Sequence, residues 1–292
     1  MVIVKLMGGL GNQMFQYAAG RCLSLKNSCD LKLDLAFLKD KANKPKDFVF
    51  RDYDLDIFDL QIDISDPEEE INLTKRSQNE TINSILNKLV GKKKSYFKQP
   101  HFHFDPSFYH KTPPLYLDGY WQSEKFFKPV ESVIRKDFDF KELIPQHSIT
   151  LAQEIAQSNS ICVNVRRGDF INSKMHAVTG ADYYKKADQI IKSKITDPHY
   201  YVFSDDVEWC TNNLQFFSPV KYISHFHAGK KFSHYLQLMS LCKHFIIPNS
   251  SFAWWAAWLS NNSEKMVIAP KKWFNEGPKD TQDLLPEKWI KI

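Results

Sequence analysis

Three short stretches of this sequence hold side chains that can do chemistry together. They are Arg166, Arg167 and Asp169 in SICVNVRRGDF (160–170), Asp205 and Asp206 in FSDD (203–206), and Asn249, Ser250 and Ser251 in IIPNSS (246–251). An arginine keeps its charge in a protein, so two at the end of an apolar strand require an anion or open water. Hydroxyls and free N–H groups at a helix start form an anion site. An acidic pair can hold a ribose or a base, or it can cap a helix. Taken singly, each stretch has a plainer role as a solvated strand end or a cap. Taken together they fit a nucleoside diphosphate, with arginine and serine on the phosphates and Asp205 or Asp206 on the base or ribose.

The elements that must position these groups follow from the pattern of apolar runs. Strands are expected at 161–165, 200–204, 221–223, 244–247 and 266–268, with helices near 182–194, after Asp206, and at 233–242 and 252–259. Strands alternating with helices imply a parallel sheet covered on both faces, with ligands at the carboxyl ends of the strands. Trp254, Trp255 and Trp258 stand at helical spacing and read as a packed core face. The N-terminal third opens with a strand at 2–6, a glycine turn at 7–11, a helix at 12–26 and a strand at 31–35. A polar stretch at 39–99 shows no clear elements, and a strand ending at Gly119 follows it. A linker rich in Pro, Gln and Ser at 141–150 suggests a division into residues 1–150 and 151–292.

The glycine turn imitates a dinucleotide fingerprint, with Gly9, Gly11 and an acidic Asp34 ending the second strand. Met14 stands where the third glycine belongs, and the polar pair Asn12 and Gln13 suits a sugar contact better than a pyrophosphate cradle. An oxidoreductase binding NAD is therefore disfavoured. Asp-x-Asp pairs occur at Asp52/Asp54, Asp54/Asp56 and Asp137/Asp139, but none ends a convincing buried strand, so no metal is expected.

Composition bounds the rest. The 292 residues carry a net charge of +5 and are 43% hydrophobic, which describes a globular chain mildly suited to an anionic substrate. The five cysteines are scattered and lack CxxC spacing, so reduced thiols are expected. The chain starts directly on a strand, and its most apolar window is interrupted by Pro248 and Asn249. No leader or membrane span is expected, which points to the cytoplasm.

Six ordered segments resemble the bacterial α-1,2-fucosyltransferases of glycosyltransferase family 11. They are GGLGNQMFQYA (8–18), GYWQSEKFF (119–127), VRRGDF (165–170), FSDDVEWC (203–210), LMSLCKHFIIPNSSFAWWAAWL (238–259) and VIAPKKWF (267–274). The resemblance implies a GT-B-like α/β fold, two Rossmann-like domains whose parallel sheets face a cleft, an acceptor-side N-terminal domain and a donor-binding C-terminal one. It implies a metal-independent, inverting transfer of L-fucose from GDP-L-fucose to the 2-hydroxyl of a galactose-terminated glycan, with lipid-linked glycans at the inner membrane face among the acceptors. Arg166 would meet the β-phosphate. Arg167, Ser250, Ser251, Asp205 and Asp206 would hold the rest of the nucleotide, with Asn164, Ser204, Asn249 and Phe252 beside them, and Asn12 would face the donor sugar. Asp169, His176 and Glu124 are candidates for the general base, and Asp169 has a second possible role in orienting the arginines. Three departures stand out. Asn164 replaces the usual histidine, His234 and Tyr235 replace an acidic pair, and His176-Ala177 replaces the usual His-Gly. They leave open another GDP-linked deoxysugar or an inactive nucleotide-sugar binder.

Overall fold

Val2, Ile3 and Val4 are wholly buried, and such β-branched side chains favour an extended backbone. They form strand β1 (Val2–Lys5), the centre of the first sheet in this computed structural model, which describes residues 1–42, 49–75, 77, 79–90, 93–171, 173 and 179–292. Its partners are β2 (Leu31–Asp34), β3 (Asp63–Ile64), β4 (Tyr96–Lys98) and β5 (Leu115–Asp118), in the order β3-β2-β1-β5-β4. Every pairing is parallel. Helix α1 (Leu10–Lys26) leaves β1 through Gly8 and Gly9, and Gly8 takes a φ of +76° that glycine tolerates best.

Met14 is fully buried, and the close approach of helix to sheet falls at Gly20 instead. A Cβ on Gly20 would lie 2.2 Å from Val4 Cγ2 and 2.9 Å from Leu31 Cδ1. The stretch 39–99 holds more structure than its polarity suggests. Besides β3 and β4 it carries α2 (Ala36–Lys39) at its edge, then α3 (Pro67–Thr74) and α4 (Glu80–Val90). Helix α3 starts on a capping box, in which the Asp66 side chain accepts from the Glu69 N–H and the Glu69 side chain accepts in return. Helix α5 (Glu131–Asp137) completes this unit, which comprises Met1–Asp139 and Gln282–Leu284.

The second unit comprises Phe140–Thr281 and Leu285–Ile292. Its strands are β6 (Asn159–Val165), β7 (Pro198–Ser204), β8 (Val220–Tyr222), β9 (His244–Ile246), β10 (Val267–Ala269) and β11 (Ile290–Lys291). They pair in parallel in the order β11-β10-β9-β6-β7-β8, the doubly wound arrangement that reverses between β6 and β9. The intervening helices are α6 (Gln146–Gln157), α7 (Ala181–Lys194), α8 (Val207–Asn213), α9 (Ser233–Ser240) and α10 (Ser251–Leu259). Ile161, Val163 and Val165 pack with Tyr184, Ala187 and Ile191 of α7. Trp254 and Trp255 are fully buried and Trp258 nearly so, which makes them the core face that their spacing suggests.

The division falls after Asp139, ahead of the linker expected at 141–150. Residues from Gln146 onward already belong to α6, which buries Leu151 and Ile155 in the second unit, so this stretch ends as helix rather than loop. All five cysteines are unpaired. Among the described residues, no helix is long and apolar enough to cross a membrane.

The Gly20 contact generates a test. Gly20→Ala pushes a methyl group into Val4, and overpacking of this kind costs about 1–3 kcal/mol despite the better helix propensity of alanine. Urea denaturation of Gly20→Ala in wild-type and Val4→Ala backgrounds checks this. The penalty shrinks once Val4 is truncated, whereas an equal penalty in both backgrounds would place the strain elsewhere.

Candidate active site

The β6–β7 ladder ends at Val165 opposite Ser204, and the next residues replace backbone pairing with charge. Asp205 Oδ1 accepts the Arg167 backbone N–H at 2.9 Å, and its Oδ2 lies 2.7 Å from Arg166 Nη1. Arg166 Nη2 also donates to Asp169 Oδ1. Arg167 turns its side chain to Asp206, with Nε donating to Oδ2 at 3.1 Å, and its guanidinium lies 4.1 Å from the Trp209 ring centroid. Gly168 is required between them, because a Cβ there would lie 2.8 Å from Asp205 Oδ2. Asp206 also caps α8 by accepting the Trp209 N–H at 3.0 Å.

The carboxylates of Asp205 and Asp206, expected on a base or ribose, are therefore occupied by the two arginines. Two guanidinium groups face three carboxylates in this turn. An incoming anion thus needs further donors, and β9 supplies the element that carries them. Strand β9 pairs with β6 and leads through Pro248 and Asn249 into α10. Ser250 is its N-cap, accepting the Ala253 N–H at 3.4 Å, and the N–H groups of Ser251 and Phe252 belong to the first turn, which has no acceptor within a helix. Asn249 is 2% exposed, donates through Nδ2 to the Trp273 carbonyl at 2.8 Å, and keeps a buried Oδ1 without a partner. The arginine turn and the start of α10 thus stand on the two strands between which the sheet order reverses, where open α/β sheets bind ligands.

Other expected residues sit deeper. Asn164 is buried in the sheet, donating to the Phe203 carbonyl at 3.1 Å while its own carbonyl accepts the Tyr184 hydroxyl at 3.0 Å. Ser204 accepts the Asp206 N–H through Oγ at 2.9 Å, and its carbonyl lies 2.9 Å from His225 Nε2. Burial pushes the Cys210 thiol up to about 11, so it stays protonated at neutral pH and is no nucleophile. Trp209 and His225 were not legible as site residues. Their part depends on α8 and the segment after β8 folding back to the end of β7, which no local spacing announces.

In the first unit, Asn12 Oδ1 accepts from Gln122 Nε2 at 2.6 Å. Gln13, grouped with Asn12 as a sugar contact, is fully buried and structural. It donates to the carbonyls of Gly8 and Asp52 and accepts the Asp54 N–H at 2.9 Å. Asp34 is 3% exposed and accepts from the Tyr116 hydroxyl and the Ala36 N–H, so it presents no acid to a ribose. Glu124 is partly buried with Lys128 Nζ at 3.7 Å, and His176 lies outside the described residues. Asp137 is tied to the Tyr17 hydroxyl and to Arg21 Nε, within α5 rather than at a strand end.

The stack of Arg167 on Trp209 carries a prediction. Arg167→Lys keeps the charge but loses the planar stack and the Nε contact, and Trp209→Ala removes the same stack from the other side. Each variant loses stability by about 1–2 kcal/mol, and a double-mutant cycle in urea yields a coupling energy of about 1 kcal/mol. Strict additivity would mean that the stack contributes nothing.

Comparison with known proteins agrees with this architecture. An alpha-1,2-colitosyltransferase of Escherichia coli is 32% identical over 316 aligned positions, covering 100% of this chain and 98% of that protein. A galactoside 2-alpha-L-fucosyltransferase of Caenorhabditis elegans is 28% identical over 61% of this chain and 53% of its own length. The structure of an Arabidopsis thaliana FUT1 mutant in complex with GDP shares the fold, with a TM-score of 0.51 at 16% identity over 91% of this chain and 69% of that one. Residues 59–292 match the family described as glycosyl transferase family 11, and the chain belongs to that family.

Proposed function

We propose that this glycosyl transferase moves L-fucose from GDP-β-L-fucose to the 2-hydroxyl of a terminal galactoside, with inversion and without a metal. The observation that carries the reading is the pairing of a braced Arg166 with the open first turn of α10 on adjacent strands. Breaking the bond from fucose to phosphate builds positive charge on the sugar ring, as in an oxocarbenium ion, and negative charge on GDP. Arg166 and the N–H groups of Ser251 and Phe252 meet that growing charge in fixed positions and stabilise the transition state more than the ground state. Arginine takes the place a divalent cation would otherwise hold on the leaving diphosphate.

Asp169 acts through Arg166, because its carboxylate already accepts from that guanidinium. Glu124 and His176 are the other two candidates for taking the proton of the acceptor hydroxyl. The acceptors we infer are galactose-terminated surface glycans, among them lipid-linked ones at the cytoplasmic membrane face. A colitosyl donor is the second reading. It is favoured by the E. coli colitosyltransferase that aligns with the whole chain, and by Asn164, His234 and Tyr235 where fucosyltransferases of the family usually differ.

The test is a ligand panel followed by turnover. GDP and GDP-fucose raise the melting temperature, and a ligand at about a hundred times its Kd adds roughly 2.7 kcal/mol. UDP, CMP and NAD do not. Release of GDP from GDP-fucose persists in excess EDTA, and Arg166→Lys lowers kcat by about 10²–10³ while GDP still binds. Protection by NAD without GDP would overturn the transferase reading. Near-normal kcat in a folded Arg166→Lys variant would remove this arginine from the mechanism.

A further inference from the structure

The carboxyl edge of the first sheet holds polar groups that the nucleotide reading does not use. Its strand order reverses between β1 and β5, and the chain leaves β5 through Gly119, Tyr120, Trp121 and Gln122. Gln122 is 7% exposed and donates through Nε2 to Asn12, while its Oε1 is buried with no partner. The Asn12 side chain fills the space beside Gly8, its Nδ2 lying 2.4 Å from where a Cβ on that glycine would stand. Trp121, the preceding residue, is 1% exposed and takes a φ of +53°, a left-handed conformation rare for a bulky side chain. It is packed against Phe108 and Phe126, and this packing fixes the direction in which the chain presents Gln122.

A buried carbonyl without a donor is unfavourable, and native proteins keep few of them. Left-handed backbone of this kind clusters at ligand sites, and switch points of open α/β sheets are where ligands bind. We propose that Gln122 is a substrate-contact residue whose Oε1 accepts a hydroxyl proton from a neutral sugar. The inference rests on the glycosyl transferase reading above and names the chemistry of one of its substrates at this edge. An amide Oε1 can only accept, so it pairs with a hydroxyl rather than with an ionised phosphate or carboxylate oxygen, and on the glycosyl transferase reading the group that offers such a hydroxyl is a neutral sugar ring. That ring belongs either to the donor or to the acceptor.

Calorimetric titration of GDP, GDP-fucose and methyl β-galactoside into the wild type and Gln122→Met distinguishes them. Methionine preserves the length and volume of the side chain and removes the amide. GDP binds both proteins within about twofold. Either the gain of GDP-fucose over GDP or the affinity for the galactoside falls about tenfold in the variant, and the ligand that loses identifies the source of the ring. Equal binding of both sugar ligands by the variant overturns the proposal. So does a fall in GDP affinity together with melting temperature, which would make Gln122 structural, or a wild type that recognises neither sugar. A wild type that fails to bind GDP but loses galactoside affinity on substitution counts against the nucleotide site and supports Gln122.

Discussion

The carboxylate of Asp205 fixes where both arginines stand. It is the first residue past the last rung between β6 and β7, and it extends that ladder with a side chain instead of a carbonyl. One oxygen takes the Arg167 backbone N–H and the other faces Arg166 Nη1. The rest of the turn follows from this. Gly168 has no room for a Cβ, Arg167 is directed away to Asp206 and Trp209, and Arg166 is held between Asp205 and Asp169. A guanidinium with so little freedom loses little entropy on binding an anion, and its field is already oriented.

That bracing has an electrostatic consequence. With three carboxylates around two guanidinium groups, the turn does not attract a dianion through net charge. It supplies a directed donor, and the first turn of α10 supplies the remaining N–H groups without adding a carboxylate. The two sheets therefore present different chemistry at their carboxyl edges. The second carries directed charge and helix N–H groups, suited to a diphosphate. The first carries, beside the Lys5–Asp118 ion pair, the amides of Asn12 and Gln122, suited to hydroxyls.

Much of the second unit was legible in the sequence because its strands are apolar runs that end abruptly in chemistry. Val165 to Arg166, Ser204 to Asp205 and Ile247 to Asn249 mark the edge of a sheet by composition alone. Partners were not legible. Nothing local in FSDD separates a carboxylate that holds a ribose from one that holds an arginine across a strand, and only the parallel register decides it. The same holds for Gln13 beside Asn12. The two are adjacent polar residues in one helix, yet the helical turn buries one under the 52–54 segment and leaves the other partly open. Between 39 and 99, β3 and β4 have two and three residues, too few for an alternation to register. The second half of the stretch read as a linker is helix for a related reason, since Gln146–Gln157 is a polar helix with a narrow buried stripe.

A crystal structure of the chain with GDP would show where the diphosphate sits. The diphosphate is expected at the reversal between β6 and β9, with phosphate oxygens within hydrogen-bonding distance of Arg166 and of the Ser251 and Phe252 N–H groups, and with Asp205 still holding the Arg167 N–H. A diphosphate seated on the Gly8–Gly9 turn of the first sheet, with the arginine turn empty, would contradict it.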